Sequence, residues 1–371
     1  MGSLKQNRAL VCLLFTLISG TLQAQSMASR LDHLLAQRIS GEGPGVSIGV
    51  VRKGKVLYAG TAGLARVDTQ EKISLRTTFR MASVSKQFTA MGILLLEQEG
   101  KLKLTDPLNR FFPEFRTELA SRITLQHLLT HTSGIHDYEE LMDSTWHRQI
   151  LDEDVVKLLQ DQTQTYFKPG TQFRYSNSGF CLLAMVVQRV SGQAYGVFMN
   201  ERLFLPLGLK NTFVYEAGKM YPHRALGHTV TDEGNTQESD QSLTSATRGD
   251  GCVYTSLADY FRWYQALQQG KPLDLNKKLQ TVAFAFPELP GSGYGLGWFI
   301  QKTSPIELFH SGTTSGFSNV VIRIPEKDVL LVMFSNRANH HAFFNEVLTV
   351  LQTEPDLKPQ MNWQTFHRLT N

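Results

Sequence analysis

Cysteine is scarce, with three in 371 residues. Cys12 falls in an N-terminal apolar run, and the two that remain, Cys181 and Cys252, are too few for a disulfide framework. Cys181 sits in an apolar helical run and reads as a small buried hydrophobe, so both thiols are expected to be free. Long apolar stretches are also missing. The longest, Ala9 to Leu22, falls short of the roughly 20 residues that span a bilayer, which argues against a membrane-spanning helix. No block of one charge sign occurs; the net +4 is spread along the chain, so no nucleic-acid partner is implied. No segment repeats, which excludes a solenoid or propeller.

What is present is an ordinary globular composition, 42% hydrophobic and 19% charged, with ample chain for one large domain or two closely packed ones. Lys5 and Arg8 precede the run Ala9 to Leu22, and small residues follow at Ala24, Ser26 and Ala28. That order is a charged start, an apolar middle and a cleavage zone. Residues 1–24 therefore read as a secretory signal peptide, and the mature chain is expected in the periplasm or medium, without stable membrane insertion after cleavage.

Met27, Leu31, Leu34, Leu35 and Ile39 mark an amphipathic first helix, and Val46 to Val51 with Val56 to Ala59 form a hairpin turning at Lys53-Gly54. The hairpin contains Gly45-Val46-Ser47-Ile48-Gly49, which has the spacing of a nucleophile elbow. An elbow needs a strand, a sharp turn and then a helix, whereas Ser47 lies inside a strand that another strand follows; it is read as a decoy.

The stretch Phe79 to Lys86 is different. Ser83 and Lys86 stand three apart at the start of a helix whose apolar residues Phe88, Met91, Ile93, Leu94 and Leu95 fill more than one face. Positions i and i+3 share a face, so the lysine can reach the serine hydroxyl at a helix N-terminus rich in unpaired N–H groups. A serine so placed can become a nucleophile.

Further along, Asp106-Pro107 reads as the start of a short helix into Phe111-Phe112, and Thr124 caps a helical turn through Leu129. His127 and His131 are four apart there, a spacing that can hold a metal, but the segment lacks the glutamate of a zinc-protease motif; a structural role is read and no metal is expected. Thr171 to Tyr175 reads as extended, followed by an apolar helix from Phe180 to Val190. Residues 214–250 read as loops, and the Arg248-Gly249-Asp250 tripeptide within them is taken as chance. Ser256 with Asp259 reads as a capping box opening a helix through Leu267. Gly295 to Ile300, Asn319 to Ile324 and Val329 to Phe334 read as three strands, and Phe343 to Leu351 as a closing helix. The order implies an α/β (α+β) fold with one antiparallel sheet built from both chain ends and a mainly helical insertion.

Three islands stand out: Ser83-Val84-Ser85-Lys86, Tyr175-Ser176-Asn177 and His310-Ser311-Gly312. In this order, with flanks such as His127 to Gly134, Pro206-Leu207-Gly208 and Tyr294 to Trp298, the set resembles the serine β-lactamase and penicillin-binding family, in its class C β-lactamase and DD-peptidase branch. The resemblance covers roughly residues 30 to 350 and implies a β-lactamase/DD-peptidase fold over 29–352, with 353–371 as a tail. It implies that Ser83 becomes acylated and that Lys86 and Tyr175 share the proton work. Asn177 would hold Lys86 and the substrate amide. His310, Gly312 and Thr313 would line the acyl site, with the Thr313 and Ser83 N–H groups as the oxyanion hole. No organic cofactor is implied, and the partner is a small-molecule or peptide substrate. β-Lactamases usually carry lysine where this chain has His310, which supplies a cation only partially near neutral pH. The resemblance therefore favours a D-amino-acid peptidase, DD-carboxypeptidase or esterase-like activity, with a class C-like β-lactamase or a non-catalytic penicillin-binding-like protein as alternatives.

Overall fold

The computed structural model describes residues 26–115, 118–302 and 304–360. The signal-peptide reading of residues 1–24 and most of the tail therefore lie outside the described residues. Helix α1, Met27–Arg38, begins where the Ser26 hydroxyl accepts the Ser29 N–H, and it buries Leu31 and Leu35. The alternating run that follows forms strand β1, Val46–Arg52, paired with β2, Lys55–Ala62. The other strands of the same sheet come from the far end of the chain: β3 Phe284–Ala285, β4 Ser292–Gly295, β5 Trp298–Gln301, β6 Glu307–Thr314, β7 Phe317–Ile324 and β8 Val329–Ser335. They join β1 and β2 in one antiparallel sheet of order β3-β4-β5-β6-β7-β8-β1-β2, so the two chain ends meet where Val46 pairs with Ser335. This is the mixed α/β fold with an antiparallel sheet that the pattern implied.

Because successive side chains point to opposite faces, the sheet has two cores. Val46, Ile48, Val50, Val320, Ile322 and Met333 face α1 and the last helix, α5, His341–Gln352. On the other face Val51, Val321, Leu330 and Val332 join the helical region: α2 Lys86–Gln98, α3 Asn177–Ser191 and α4 Leu257–Gln268. In α2 every residue from Lys86 to Leu96 is buried. At roughly 1.5–3 kcal/mol for each large apolar side chain, this helix is held by burial rather than by its propensity. A Cβ on Gly49 of β1 would stand 2.5 Å from the Phe261 ring of α4, so glycine lets that helix lie directly on the strand.

Four local expectations need correction. Gly295 to Ile300 is not one strand: β4 ends at Gly295 and β5 starts at Trp298, with Leu296 (φ 54°) and Gly297 (φ 81°) making a tight turn. The helix expected at Pro107 is one 3₁₀ turn, Leu108–Arg110, and Pro107 itself is extended. Thr171 to Tyr175 pairs with no strand. Ser256 does cap α4, accepting the Asp259 N–H at 3.2 Å, but the Asp259 carboxylate does not complete a box; it accepts from Asn211 N and Arg262 instead. Ser47 is wholly buried within β1. Gly249 and Asp250 are buried in a single helical turn, unavailable as an adhesion loop. Cys181 and Cys252 are buried free thiols. No helix of the described residues is long and apolar enough to cross a membrane.

Candidate active site

Ser83 lies in a 3₁₀ turn, Ala82–Ser85, that runs directly into α2 at Lys86. The sequence placed it in the first turn of the α-helix. The tighter turn still brings i and i+3 together: Lys86 Nζ donates to Ser83 Oγ at 3.0 Å. The turn is fastened from several sides. Met81 N–H bonds to Val253 O at 2.8 Å, and Ser85 Oγ accepts the Val253 N–H at 3.1 Å. Asn319 Nδ2 of β7 donates to Arg80 O at 2.8 Å. Ala82, immediately before the serine, has φ 48°, a left-handed conformation unusual for alanine. The Leu296–Gly297 turn seats on the start of α2, where a Cβ on Gly297 would be 2.5 Å from Gln87 N.

Lys86 is fully buried, and its three N–H bonds each find an acceptor: Ser83 Oγ, Asn177 Oδ1 at 2.9 Å and the Asp250 carbonyl at 3.0 Å. Asn177 opens α3, whose N-cap Ser176 accepts the Gly179 N–H at 3.2 Å. Its amide nitrogen faces the exposed Glu139, Nδ2 to Oε1 at 3.4 Å. Tyr175 precedes this cap. Lys86 Nζ stands 4.9 Å from the centre of its ring, and its hydroxyl oxygen is buried with no hydrogen-bond partner among the described residues. A buried hydroxyl without a partner is uncommon and marks a place where a reacting group or water belongs.

Strand β6 forms the opposite wall. Gly312 lies against the nucleophile turn, since a Cβ there would meet Met81 O at 2.1 Å. Thr313 is exposed, with Oγ1 3.3 Å from His341 Nε2 at the start of α5. The structure thus brings Ser83, Asn177 and the Tyr175 ring around Lys86, with Gly312 of β6 against the turn that carries Ser83 and Thr313 next to it in the strand.

His310 departs from expectation. It is buried, with Nδ1 donating to the Ser311 carbonyl at 2.6 Å and Nε2 accepting from the Tyr294 hydroxyl at 3.2 Å. Burial first, and the Lys86 charge second, push it down to about 3. It is therefore a neutral ring packed on Phe299 and Tyr294, not a partial cation offered to substrate.

Three other groups around Lys86 were not picked out as part of the site. Asp250 is buried, its Oδ1 without a hydrogen-bond partner among the described residues, and burial raises it to about 6. Asp137, which accepts from the Ser178 N–H at 3.1 Å, is likewise raised by burial to about 6. His131 packs on Tyr175, ring centres 4.3 Å apart. Its spacing of four from His127 would suit a metal pair. Each instead uses Nδ1 to accept a backbone N–H, from Ser176 at 3.0 Å and from Thr124 at 3.2 Å respectively. Only the His127 to Gly134 flank hinted at His131; nothing local singles out Asp250.

Comparison with known proteins gives a consistent picture. The beta-lactamase family profile matches residues 27–352. Penicillin-binding protein 4* of Bacillus subtilis (strain 168) is 31% identical over 315 residues, 80% of this chain and 68% of that protein. Protein flp of Staphylococcus aureus (strain MW2) is 29% identical over 321 residues; these cover 84% of this chain but only 63% of flp, less than two thirds of its length. Among solved structures, the penicillin-binding protein from Bacillus halodurans has a TM-score of 0.75 at 24% identity, covering 88% of this chain and 99% of that one. The D-amino acid amidase from Ochrobactrum anthropi SV3, complexed with L-phenylalanine, has 0.72 at 22%, covering 89% and 99%. At such identities these structural likenesses concern the fold.

Proposed function

The chain belongs to the β-lactamase family of serine hydrolases, and on that premise we propose that it hydrolyses an amide or ester through an acyl-enzyme on Ser83. One observation carries the reading: the buried Lys86 Nζ lies 3.0 Å from Ser83 Oγ. With all three of its N–H bonds engaged, Lys86 holds the serine oxygen but does not take its proton. That falls to Tyr175, whose buried hydroxyl oxygen has no hydrogen-bond partner among the described residues. Acting as general base, Tyr175 takes the Ser83 proton while Oγ attacks the acyl carbonyl. It then gives the proton to the leaving amine or alcohol as the C–N or C–O bond breaks. Water then completes the cycle: Tyr175 takes its proton as hydroxide adds to the acyl carbon, and when the bond from that carbon to Ser83 Oγ breaks the proton passes to Oγ and the acid product leaves. The Ser83 and Thr313 N–H groups hold the oxyanion, each worth roughly 3 kcal/mol. Asn177 positions Lys86 and the amide of the substrate.

For the acyl donor we place D-amino-acid peptides, amides and simple esters ahead of β-lactams. The neutral, enclosed His310 supports this, because it offers no charge to the carboxylate of a penicillin or of a terminal D-alanine. The Glu139 carboxylate beside Asn177 suits an ammonium or neutral group on the acyl side. The β-lactamase reading keeps one point in its favour: His341, 3.3 Å from Thr313 Oγ1, puts a second imidazole beside strand β6.

A panel of a D-amino-acid amide, a D-peptide, a short acyl ester and a chromogenic cephalosporin tests the ranking. The ester and D-substrates should turn over faster than the cephalosporin, and Ser83→Ala should abolish all of it. A cephalosporin turned over fastest would make this a β-lactamase; one equivalent of acylation without turnover would make it a penicillin-binding protein. Export belongs to the same proposal, with a secreted chain starting between Gln25 and Ser29; an intact Met1 terminus in a membrane fraction would refute it.

A further inference from the structure

We propose that His131 is a positioning residue for Tyr175, holding the backbone on both sides of it. The inference rests on the proton-transfer role given to Tyr175 above. The Arg174 N–H bonds to the His131 carbonyl at 2.9 Å, and the Ser176 N–H bonds to His131 Nδ1 at 3.0 Å. Tyr175 is thus flanked by two amides that end on one residue. Its segment belongs to no sheet, so these bonds stand where ladder hydrogen bonds would otherwise fix an extended strand. The imidazole also lies against the tyrosine ring, with centres 4.3 Å apart and planes 33° apart.

The geometry fixes the tautomer. Nδ1 accepts from Ser176, so the proton sits on Nε2, which is buried without a hydrogen-bond partner among the described residues. The imidazole is packed between the rings of Tyr294 and Phe180, centre to centre 4.4 and 5.1 Å, and aromatic faces can receive an N–H weakly. Burial, then the nearby Lys86, hold the ring well below its ordinary value. A protonated imidazole would have no acceptor for Ser176, so neutrality and the clamp go together. His131 has φ 55°, a conformation that costs a non-glycine residue on the order of 1 kcal/mol or more. That backbone angle belongs to the residue whose carbonyl and side chain both engage the tyrosine segment.

Among the described residues, the titratable groups that face the ring are Lys86, Tyr175, Tyr294 and His310. None is a carboxylate that would draw a proton onto it.

Asparagine separates this role from others. It tolerates the left-handed conformation, and its Oδ1 stands where Nδ1 stood, able to accept the Ser176 N–H. Alanine keeps neither property. The test is steady-state kinetics on the ester with wild type, His131→Ala and His131→Asn, each alone and with Tyr175→Phe, with thermal melting as the check on folding. His131→Ala should lower kcat about ten- to a hundredfold with little change in KM, the scale of a misplaced catalytic group. His131→Asn should recover most of it, and all three pH–rate profiles should keep one shape. In the Tyr175→Phe background His131→Ala should cost nothing more, since the group it positions is gone. If His131→Ala does not fold, His131→Gln replaces it, because its oxygen reaches one bond too far. Unchanged kcat in His131→Ala, equal loss in His131→Asn with a lost limb of the pH profile, or a full further loss on Tyr175→Phe would each overturn the proposal. Full activity in Tyr175→Phe alone would instead refute the role of the tyrosine, a separate failure.

Discussion

Gly312 and Met81 touch backbone to backbone: a Cβ on Gly312 would lie 2.1 Å from the Met81 carbonyl oxygen. The contact sets strand β6 against the turn that carries Ser83. No side-chain rotation relieves it, since the obstacle is main chain, so Gly312→Ala must move the strand or the turn. Activity should fall at least about a hundredfold, as for other displacements of catalytic groups, with a loss of about 1–3 kcal/mol in stability. Chemical denaturation and kcat/KM measured together check this. A variant that keeps both would show that the two segments do not need this approach.

Tyr175→Phe should separate activity from stability. Turnover should drop at least about a hundredfold, the usual worth of a positioned base. The hydroxyl oxygen is buried without a partner among the described residues, so no hydrogen bond to them is lost, and the melting temperature should hold or rise slightly. A fall in both would mean that the hydroxyl is structural.

The neutral His310 predicts a flat response. For a carboxylate-bearing and a neutral substrate, the ratio of kcat/KM should not change across about pH 5.5 to 8.5, the range in which a free imidazole would charge. Its effect is on stability instead. With the folded value pushed to about 3, folding favours the neutral ring, and that contribution is present above about 6.5 and lost as pH falls toward 3. At pH 5 the loss for one such histidine is about 2 kcal/mol. Thermal melts of wild type and His310→Asn at pH 7.5 and 5 test it: the variant should lose less on acidification. A cephalosporin that gains selectively at low pH would put a charged His310 back at the site.

Asp250 has the opposite sign. Its folded value is raised from 3.8 to about 6, so its protonated form is favoured by folding; that contribution is present below about pH 4 and lost as pH rises through 6. Asp250→Asn, a neutral mimic of the protonated acid, should be more stable than wild type at pH 8, by up to about 3 kcal/mol, and level with it at pH 4. Melts at the two pH values decide. A variant less stable at pH 8 would mean that the charged carboxylate supports Lys86.

What could be read from the sequence was either local or carried by the family pattern. Ser83 and Lys86 meet because three residues of helical turn bring them together, so their spacing suffices. Asn177 reaches Lys86 across 91 positions, and only the resemblance linked them. The clamp by His131 was not legible, since its ring meets the backbone of a residue 45 positions on. His310 was misread because its charge depends on enclosure by Tyr294 and Phe299, which are brought together across a turn at Leu296–Gly297 that the sequence pattern conceals. A leucine with positive φ gives no turn signal; it is held there because Gly297 packs on the start of α2.

The most direct measurement is the site of covalent attachment. The protein is treated with a fluorophosphonate, digested, and its peptides are weighed. The account predicts a single stoichiometric adduct on the peptide containing Ser83, loss of activity in step with labelling, and no adduct in Ser83→Ala. An adduct on the peptide containing Ser47, or full activity in Ser83→Ala, would contradict it.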